Sequence, residues 1–476
     1  AGPTFHCSAQ FMACVIAAPA SGSGKTLLTL CLIAWARRQG RSIQPFKVGP
    51  DYLDPQLLSL SAGRVCRNLD LSLCGQEWVD LSFRGFGGLC DMAVVEGVMG
   101  LYDGIGASSE GSTAAVARHL NLPVVLVVDA GRQARSLAAV VLGFQSLEPR
   151  VHLAGVVLNR VSSQRHRELL QSVLDEINVP CLGSLPKDVS LCLPSRHLGL
   201  APAHELGPIQ DRISRWAALA SSHLDLQRFG PLLKAPAAGA NPIRTILAPV
   251  LDQQPVRTPI PVAVAQDEAF HFRYPEMQEC LETMAMPVIP WSPLADEPPP
   301  PQAQGLVLPG GFPELHAEAL SQCGRSLSAL QQWIAQKPLY AECGGMLLLG
   351  ESLSDGEGKH HPMAGLLPFR AERGALQVGY RSLSTTHNGM LLRAGESLRG
   401  HEFHRWQLSK ESGNFLGKAR PLWQVEGWKI SRRHEGWSLP TLHASWVHLH
   451  WAGSSTISCR WRAALETAAT RNADGS

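Results

Sequence analysis

The chain has 476 residues, of which 45% are hydrophobic and 17% are charged, and its formal net charge is +2. This length exceeds what one hydrophobic core usually serves, so we expect at least two domains. The near-neutral charge argues against a nucleic-acid surface, and no apolar stretch approaches the ~18 residues that cross a bilayer. Twelve cysteines without a C-x-x-C pair indicate buried reduced thiols, and therefore a cytoplasmic protein.

A glycine-rich loop, AAPASGSGKT at residues 17–26, follows an apolar run and precedes a helix-patterned segment. We interpret the apolar run as the first buried strand rather than a signal-peptide core, because it leads straight into the loop. Strand, loop and helix in this order are typical of a phosphate-binding site, in which Lys25 reaches the β and γ oxygens and the Thr26 hydroxyl binds Mg²⁺. Pro19 stands where the standard motif has glycine, so an ordinary Gly/Ser turn is the alternative. The predicted ATP-binding residues of this loop are Ser21, Gly22, Ser23, Gly24, Lys25 and Thr26.

Apolar strand-like runs alternate with helix-like segments along the first half of the chain. Such runs occur at residues 92–95, 123–128 and 153–158, and helix-like segments occur at residues 111–120 and 165–177. The alternation predicts an α/β fold with a parallel sheet and helices on both faces. Ligands of such sheets bind at the carboxyl ends of the strands.

Two acidic loops follow predicted strands of this sheet. FKVGPDYLDP carries Asp51, and VVEGVMGLYDG carries Glu96 and Asp103. Mg²⁺ on a triphosphate takes oxygen ligands from one or two carboxylates and a hydroxyl. We therefore predict a metal site formed by Thr26, Asp51 and Glu96, since the strand ends meet at one edge of the sheet. For each acid taken alone, a solvated loop carboxylate is the alternative.

Six motifs occur in a fixed order along this half: SGSGKT, VGPDYLDP, NLD, VEGVMGLYDG, VVLNRV and PSRHLGL. In this order they resemble the cobyrinate or hydrogenobyrinate a,c-diamide synthase family, whose ATP-binding half resembles dethiobiotin synthetase. The phosphate loop of that family often departs from the standard pattern, which accommodates Pro19. The resemblance implies that Lys25 and Thr26 contact phosphate and Mg²⁺, with Asp51 and Glu96 as Mg²⁺ ligands.

The same resemblance implies roles for four further residues. Asn159 falls where a side-chain amide reads adenine; from the residues alone, a strand-end cap is the alternative. Tyr52, Leu53 and Asp103 fall where the tetrapyrrole carboxylate substrate is bound.

The sequence becomes rich in proline and alanine at residues 227–258 and shows no convincing periodicity. We interpret this stretch as a linker that follows a P-loop ATP-binding domain at residues 1–226, although a short helix could lie within it. Strand-like runs resume after residue 260, which predicts a second α/β domain at residues 259–476.

The centre of the second domain is PLYAECGG, an apolar strand followed by Cys343 and two glycines. A sharp strand-to-helix turn would expose Cys343 near a helix N-terminus, where a thiolate is stabilised. In SWVHLHW, His448 is the candidate base, and it shares a face with His450 if the segment is a strand. The PGG sequence offers the backbone N–H groups of Gly310 and Gly311 for an oxyanion hole. The alternatives are a core cysteine, an ordinary turn, and a surface or weakly metal-binding histidine pair.

Together these elements resemble the class I glutamine amidotransferase domain of the same family, and the LRGHEFH stretch extends the match. The resemblance implies Cys343 as nucleophile and His448 as base. The third triad acid of other glutaminases, expected two residues after the histidine, is replaced by His450. How the base is oriented is therefore left open.

The resemblance implies an enzyme of cobalamin biosynthesis that amidates the a and c acetate carboxylates of cobyrinate through an acyl phosphate and glutamine-derived ammonia. Its expected partners are a cobyrinate-type tetrapyrrole, glutamine and ATP with Mg²⁺, without nucleic acid or membrane; a homodimer is left open. The same chemistry on hydrogenobyrinate or nickel-sirohydrochlorin is the first alternative. A P-loop ATPase switch is the second, and it leaves Cys343 and His448 without a purpose.

Overall fold

The computed structural model describes residues 12–187, 195–196, 199–200, 209–253, 257–410 and 419–474. It divides the chain into two compact units, Ala1–Pro242 and Ile243–Ser476. The division falls inside the predicted linker at residues 227–258. Three of the seven residues of the PSRHLGL motif, Pro194, His197 and Leu198, lie outside the described residues.

The first unit is built on a seven-stranded sheet whose neighbouring strands all run parallel. Its strands are β1 (Val15–Ala17), β2 (Ile43–Val48), β3 (Arg67–Leu69), β4 (Met92–Glu96), β5 (Val124–Asp129), β6 (Leu153–Val161) and β7 (Cys181–Pro186). A short antiparallel pair follows, β8 (Ser195–Arg196) and β9 (Gly199–Leu200). The spatial order of the sheet is β3-β2-β4-β1-β5-β6-β7. Because β1 separates the strands that run to either side, the crevice at its carboxyl end is the expected ligand position.

Helices pack on both faces of this sheet. The described helices are α1 (Lys25–Arg38), α2 (Leu53–Ala62), α3 (Leu71–Cys74), α4 (Gln76–Gly87), α5 (Thr113–His119), α6 (Ser136–Leu147), α7 (Gln164–Glu176), α8 (Ile209–His223) and α9 (Leu226–Leu232). Ile16 and Val125 belong to a core with α1 and α8, whereas Val15 and Leu126 belong to a core with α5 and α7. Successive strand residues therefore bury opposite faces, and the predicted α/β fold class is confirmed.

The second unit contains a six-stranded sheet of order β11-β10-β12-β13-β21-β20, parallel except at its β20 edge, and a second sheet. Its strands are β10 (Val262–Ala265), β11 (Val288–Trp291), β12 (Gly305–Leu308), β13 (Leu339–Glu342), β14 (Ser352–Ser354), β15 (His360–Pro362), β16 (Phe369–Ser384), β17 (Ser397–Lys410), β18 (Trp423–Gly427), β19 (Ile430–Glu435), β20 (Trp437–Leu439) and β21 (Leu442–Ser445). Its helices are α10 (Pro242–Leu251), α11 (Pro275–Thr283), α12 (Ala317–Ser321), α13 (Gly324–Trp333), α14 (Gly344–Leu347) and α15 (Ser455–Asp474), with 3-10 turns at Pro293–Ala295, Pro313–His316 and Trp451–Gly453.

The second, largely antiparallel sheet, formed by β14 to β19, was not predicted. Its longest strand, β16, has the sequence FRAERGALQVGYRSLS, in which charged residues and glycines interrupt the apolar alternation. The strand forms because it pairs along most of its length with β17, a contact that the local pattern does not reveal.

One segment is more helical than predicted. The predicted linker contains most of α9 and all of α10, whose internal prolines, Pro231 and Pro249, mask the helical pattern. The chain end also forms a helix, the 20-residue α15.

The ten cysteines within the described residues are all free. Burial raises the pKa of the Cys14 thiol to about 12, so this cysteine behaves as a small apolar core residue. Among the described helices, none has both the length and the apolar character needed to span a membrane.

Candidate active sites

The phosphate loop joins β1 to α1 through glycines in a left-handed conformation. Gly22 has a φ of 78°, and Gly24 caps the helix with a φ of 113°. A Cβ atom on Gly24 would lie 2.3 Å from the Asn159 amide nitrogen, so both conformation and space require glycine there. Ser23 Oγ donates to the Ala20 carbonyl at 2.9 Å. The conformation of the loop is thus set by its glycines and by a hydrogen bond within the loop.

Lys25 is the first residue of α1, and its side chain is largely buried. Its Nζ donates to the Met99 carbonyl at 2.6 Å. Burial, with the nearby positive charge of Lys47, lowers the pKa of the Lys25 ammonium to about 8. An anion bound in the loop would therefore favour the charged form of the Lys25 ammonium and oppose the effect of burial.

Thr26 and Glu96, two of the predicted metal ligands, lie in direct contact. The Thr26 hydroxyl donates to Glu96 Oε1 at 2.9 Å. Lys47, on β2, donates to the same Glu96 oxygen at 2.7 Å and to Asp54 Oδ2 at 2.5 Å. Asp51 lies at the edge of this group, 3.8 Å from Lys47 Nζ. The structure therefore brings the three predicted ligands to one strand edge, around a lysine.

Lys47 and Asp54 had no role assigned from the sequence. The available signal was a lysine inside the buried, largely apolar strand β2, where an unpaired charge would be costly. Burial alone would lower the pKa of Lys47, but Asp54 and Glu96 raise it well above its usual value. Lys47 is consequently charged and compensates part of the carboxylate charge.

One lysine faces three carboxylates, Asp51, Asp54 and Glu96, so the group can accept further positive charge. Glu96 Oε2 is buried and makes no hydrogen bond, and burial raises the pKa of its carboxyl. Within the described residues, no group of three or more His, Cys, Asp or Glu is arranged to hold a metal by itself. Mg²⁺ that shares its coordination with phosphate oxygens and a hydroxyl does not require such a group, so these residues fit it.

The remaining predicted residues of the first unit surround this group. Asn159 Nδ2 donates to the Ser23 carbonyl at 2.8 Å, so its amide fastens the phosphate loop. Asp103 Oδ2 accepts from Gly100 N–H at 2.9 Å. Tyr52 and Leu53 are both buried where α2 begins. Asn159 therefore contacts the phosphate loop, and Leu53 N–H donates to Asp51 Oδ1 of the acidic group at 2.8 Å.

Cys343 lies in the turn between β13 and α14 with φ 45° and ψ −114°, a conformation that is strained for a residue with a side chain. Its N–H donates to the Ser445 carbonyl at 2.7 Å. A Cβ on Gly345 would lie 2.2 Å from the Leu308 carbonyl, so the turn can pass this close to β12 only with glycine. The predicted strand-to-helix turn is therefore present, and it is held by backbone contacts. The expected exposure of Cys343 is wrong, however, because the residue is only 4% exposed.

His448 lies beyond the end of β21, so the segment is not a strand through both histidines and the condition for a shared face with His450 is not met. It forms an isolated bridge instead: His448 N–H donates to the His401 carbonyl at 2.8 Å, and His401 N–H donates back at 3.0 Å. The His448 ring and the Cys343 side chain both lie against Gly310, close enough for the thiol to influence the protonation of the imidazole. Burial alone would lower the pKa of His448, but Cys343 and Glu342 raise it to about 10.

Glu342, the residue before the cysteine, was missed by the sequence analysis. Its Oε2 lies 3.2 Å from His448 Nδ1. His450 is directed elsewhere, with its Nε2 3.5 Å from Glu276 Oε2 and its ring against Tyr274. The available signal was a carboxylate at the end of an otherwise apolar buried strand.

The two glycines of the PGG sequence lie against these residues. A Cβ on Gly310 would lie 2.6 Å from His448 Cε1 and 3.5 Å from Cys343 Cβ. A Cβ on Gly344 would lie 3.1 Å from the backbone nitrogen of Gly311. The backbone of both glycines thus lies beside the Cys343 turn, where an oxyanion would form.

Comparison with known families agrees with this division into two sites. The model for the CobQ/CobB/MinD/ParA nucleotide binding domain matches residues 14–200. The model for the CobB/CobQ-like glutamine amidotransferase domain matches residues 261–456. Each match contains the motifs of one site.

Curated relatives match nearly the whole chain. The cobyrinate a,c-diamide synthase of Synechococcus sp. is 40% identical over 93% of this chain and 96% of its own length. The enzyme of the same name from Gloeobacter violaceus is 41% identical over 92% and 94%. The hydrogenobyrinate a,c-diamide synthase of Streptomyces coelicolor is 40% identical over 94% and 96%. The chain therefore belongs to the cobyrinate or hydrogenobyrinate a,c-diamide synthase family.

Proposed function

We propose that this chain uses ATP and glutamine to amidate the a and c acetate carboxylates of cobyrinate in cobalamin biosynthesis. The observation that carries the proposal is the presence of two chemically different sites in one chain. One is the Lys25 loop beside the Thr26–Glu96 pair, and the other is the Cys343–His448 pair. An amidoligase needs both, because one activates a carboxylate and the other supplies nitrogen.

In the first unit, a carboxylate oxygen of the macrocycle attacks the γ-phosphorus of ATP, and ADP leaves. Lys25 balances the negative charge of the transferred phosphoryl group. Bound Mg²⁺, held by Thr26, Asp51 and Glu96, would neutralise charge on the phosphate oxygens. Asn159 is assigned to adenine, and Tyr52, Leu53 and Asp103 are assigned to the macrocycle carboxylate.

In the second unit, the Cys343 sulfur attacks the glutamine carboxamide. The N–H groups of Gly310 and Gly311 stabilise the oxyanion, and His448 gives its proton to the departing ammonia. Water then hydrolyses the thioester to glutamate. The ammonia attacks the acyl phosphate and displaces phosphate, which leaves the amide.

These roles extend the domain interpretation to function. We assign residues 1–226 to carboxylate activation and residues 259–476 to ammonia production, with residues 227–258 as the connection. A cytoplasmic location fits the free thiols of the described residues.

One observation favours a second candidate for the macrocycle substrate. Relatives named for cobyrinate and for hydrogenobyrinate are equally similar to this chain, at 40% identity. Hydrogenobyrinate is therefore the second candidate substrate.

The test incubates the purified protein with ATP, Mg²⁺, glutamine and one macrocycle at a time: cobyrinate, hydrogenobyrinate or nickel-sirohydrochlorin. Mass spectrometry counts zero, one or two amidations, each of which replaces a hydroxyl by an amino group. Two amidations of cobyrinate are expected. ATP hydrolysis without a mass change on any macrocycle would instead support a nucleotide switch and overturn the proposal.

A further inference from the structure

The glutaminase site contains a histidine base without the acid that other glutaminases place two residues after it. His450 occupies that position, and its Nε2 lies 3.5 Å from Glu276. His448 Nδ1 lies 3.2 Å from Glu342 Oε2 instead. The orienting contact of the base therefore comes from the residue before the nucleophile.

Glu342 is held by donors on its other carboxylate oxygen. Its Oε1 accepts from the Tyr340 hydroxyl and from Leu449 N–H, the latter at 3.0 Å. The residue is 6% exposed, at the end of β13, which is paired with β21 in register. Because Oε1 is committed to two donors, Oε2 is the oxygen that faces the imidazole.

We propose that Glu342 is the positioning acid of the Cys343–His448 pair, and that Tyr340 and Leu449 N–H fix its carboxylate. This inference rests on the proposed glutaminase role of Cys343. Glu342 Oε2 accepts a hydrogen bond from His448 Nδ1–H and stays ionised, so the other ring nitrogen, Nε2, exchanges a proton with the Cys343 sulfur. Glu342 touches neither glutamine nor the reacting carbon.

The donors on Oε1 make Glu342→Gln a sharp test. The amide oxygen of the glutamine must take the Oε1 position, because the Tyr340 hydroxyl and Leu449 N–H both donate there. Its NH₂ group then faces His448 Nδ1 and stabilises the tautomer with the proton on Nε2. That tautomer cannot accept a proton from the thiol.

The charged groups around His448 decide the sign of the pH effect. Cys343 comes from the turn, Glu342 from β13 and His401 from β17. Burial and His448 lower the pKa of His401 to about 3, so His401 is neutral at working pH. Removing the Glu342 charge removes a partner that favours the imidazolium. Glutamine hydrolysis falls at alkaline pH as His448 loses its proton, and this fall then occurs at lower pH.

The experiment measures glutamine hydrolysis by the full-length chain against pH, together with ammonium-dependent amidation. Glu342→Gln is expected to lower kcat on the order of 10²–10⁴-fold with little change in KM for glutamine. The alkaline limb of its profile, and of Cys343 alkylation by iodoacetamide, is expected to move to lower pH. Glu342→Asp keeps the charge and restores part of kcat.

Glu435→Gln is the matched control. Glu435 is a buried carboxylate of the same unit, and its Oε2 and Oε1 accept from Ser445 Oγ at 2.6 Å and Trp446 N–H at 2.8 Å. Its replacement is expected to lower Tm without moving the alkylation profile. An equal shift in Glu435→Gln would show that any lost buried charge has this effect, and would overturn the proposal.

Wild-type kcat and an unshifted profile in Glu342→Gln would also overturn it. If that variant fails to fold, Glu342→Asp tests the proposal instead, because its shorter side chain keeps the charge but withdraws the carboxylate from His448 Nδ1. Wild-type kcat and a wild-type alkylation profile in Glu342→Asp would contradict the positioning role. A different result would overturn the proposed function while leaving the inference about Glu342 intact. In that result, the Glu342 variants lose glutamine hydrolysis, but the wild-type protein amidates no macrocycle even with ammonium.

Discussion

Lys47 Nζ lies 2.7 Å from Glu96 Oε1, and both side chains are almost wholly removed from solvent. The same Glu96 oxygen accepts from the Thr26 hydroxyl, and Asp54 lies 2.5 Å from the same Nζ. The charge of Lys47 therefore opposes the effect of burial, which raises the pKa values of the Glu96 and Asp51 carboxyls.

Lys47→Met keeps the apolar length of the side chain and removes its charge. We expect a loss of about 3–5 kcal/mol in the free energy of unfolding, because the buried carboxylates lose their partner. Addition of Mg²⁺ is expected to raise the Tm of this variant more than that of wild type, as measured by thermal melts with and without the cation. An equal Mg²⁺ effect on both proteins would contradict a cation site at this cluster.

Lys25→Ala and Glu96→Gln test the ATP half. Each is expected to lower ATP-dependent amidation on the order of 10²–10³-fold or more, because groups that balance phosphoryl charge are lost. Glutamine hydrolysis stays detectable, since Cys343 and His448 are untouched. Normal diamide production by either variant would remove the proposed ATP site.

Asp103→Asn and Tyr52→Phe test the substrate assignment. We expect turnover and KM for the macrocycle to change more than the affinity for ATP, because substrate positioning is their proposed role. Nucleotide binding measured by calorimetry serves as the comparison. Unchanged amidation kinetics with strongly weakened ATP binding would show that these residues belong to the nucleotide site.

Glu314 provides a pH-dependent stability test outside the proposed catalytic groups. Burial raises the pKa of its carboxyl from 4.5 to about 7, so the folded state holds the proton more tightly than the unfolded state. Its stabilising effect is complete below pH 4.5 and is lost as the pH rises to 7. Glu314→Gln mimics the neutral form and is expected to be more stable at pH 7.5 by up to about 3 kcal/mol. Denaturant unfolding at pH 4.5 and 7.5 measures the difference, and equal pH dependence of both proteins would refute it.

The sequence predicted elements whose signals are local. The loop that ends in Lys25 and Thr26 shows its glycines within a few residues, and the buried parallel strands show continuous apolar runs. Asp51 and Glu96 were linked by the rule that parallel strands end at one edge. The structure brings them together around Lys47.

Contacts between distant segments were not predictable in the same way. Glu342 and His448 are 106 residues apart, and their contact depends on how β13 and the segment after β21 pair. The β16–β17 hairpin was missed because its strands carry many charged residues, and long-range pairing rather than local pattern stabilises them. In α9 and α10, internal prolines hid the helices, although Phe229 and Leu247 are buried in the structure.

The most direct test of the two-site account is Cys343→Ala, assayed with glutamine and, separately, with ammonium at high concentration and raised pH. The thiol is needed only to release ammonia from glutamine, so external ammonia bypasses its loss. We predict no diamide with glutamine and measurable diamide with ammonium. His448→Ala is expected to behave alike, whereas Lys25→Ala gains nothing from ammonium. Full glutamine-dependent synthesis by Cys343→Ala would contradict the account.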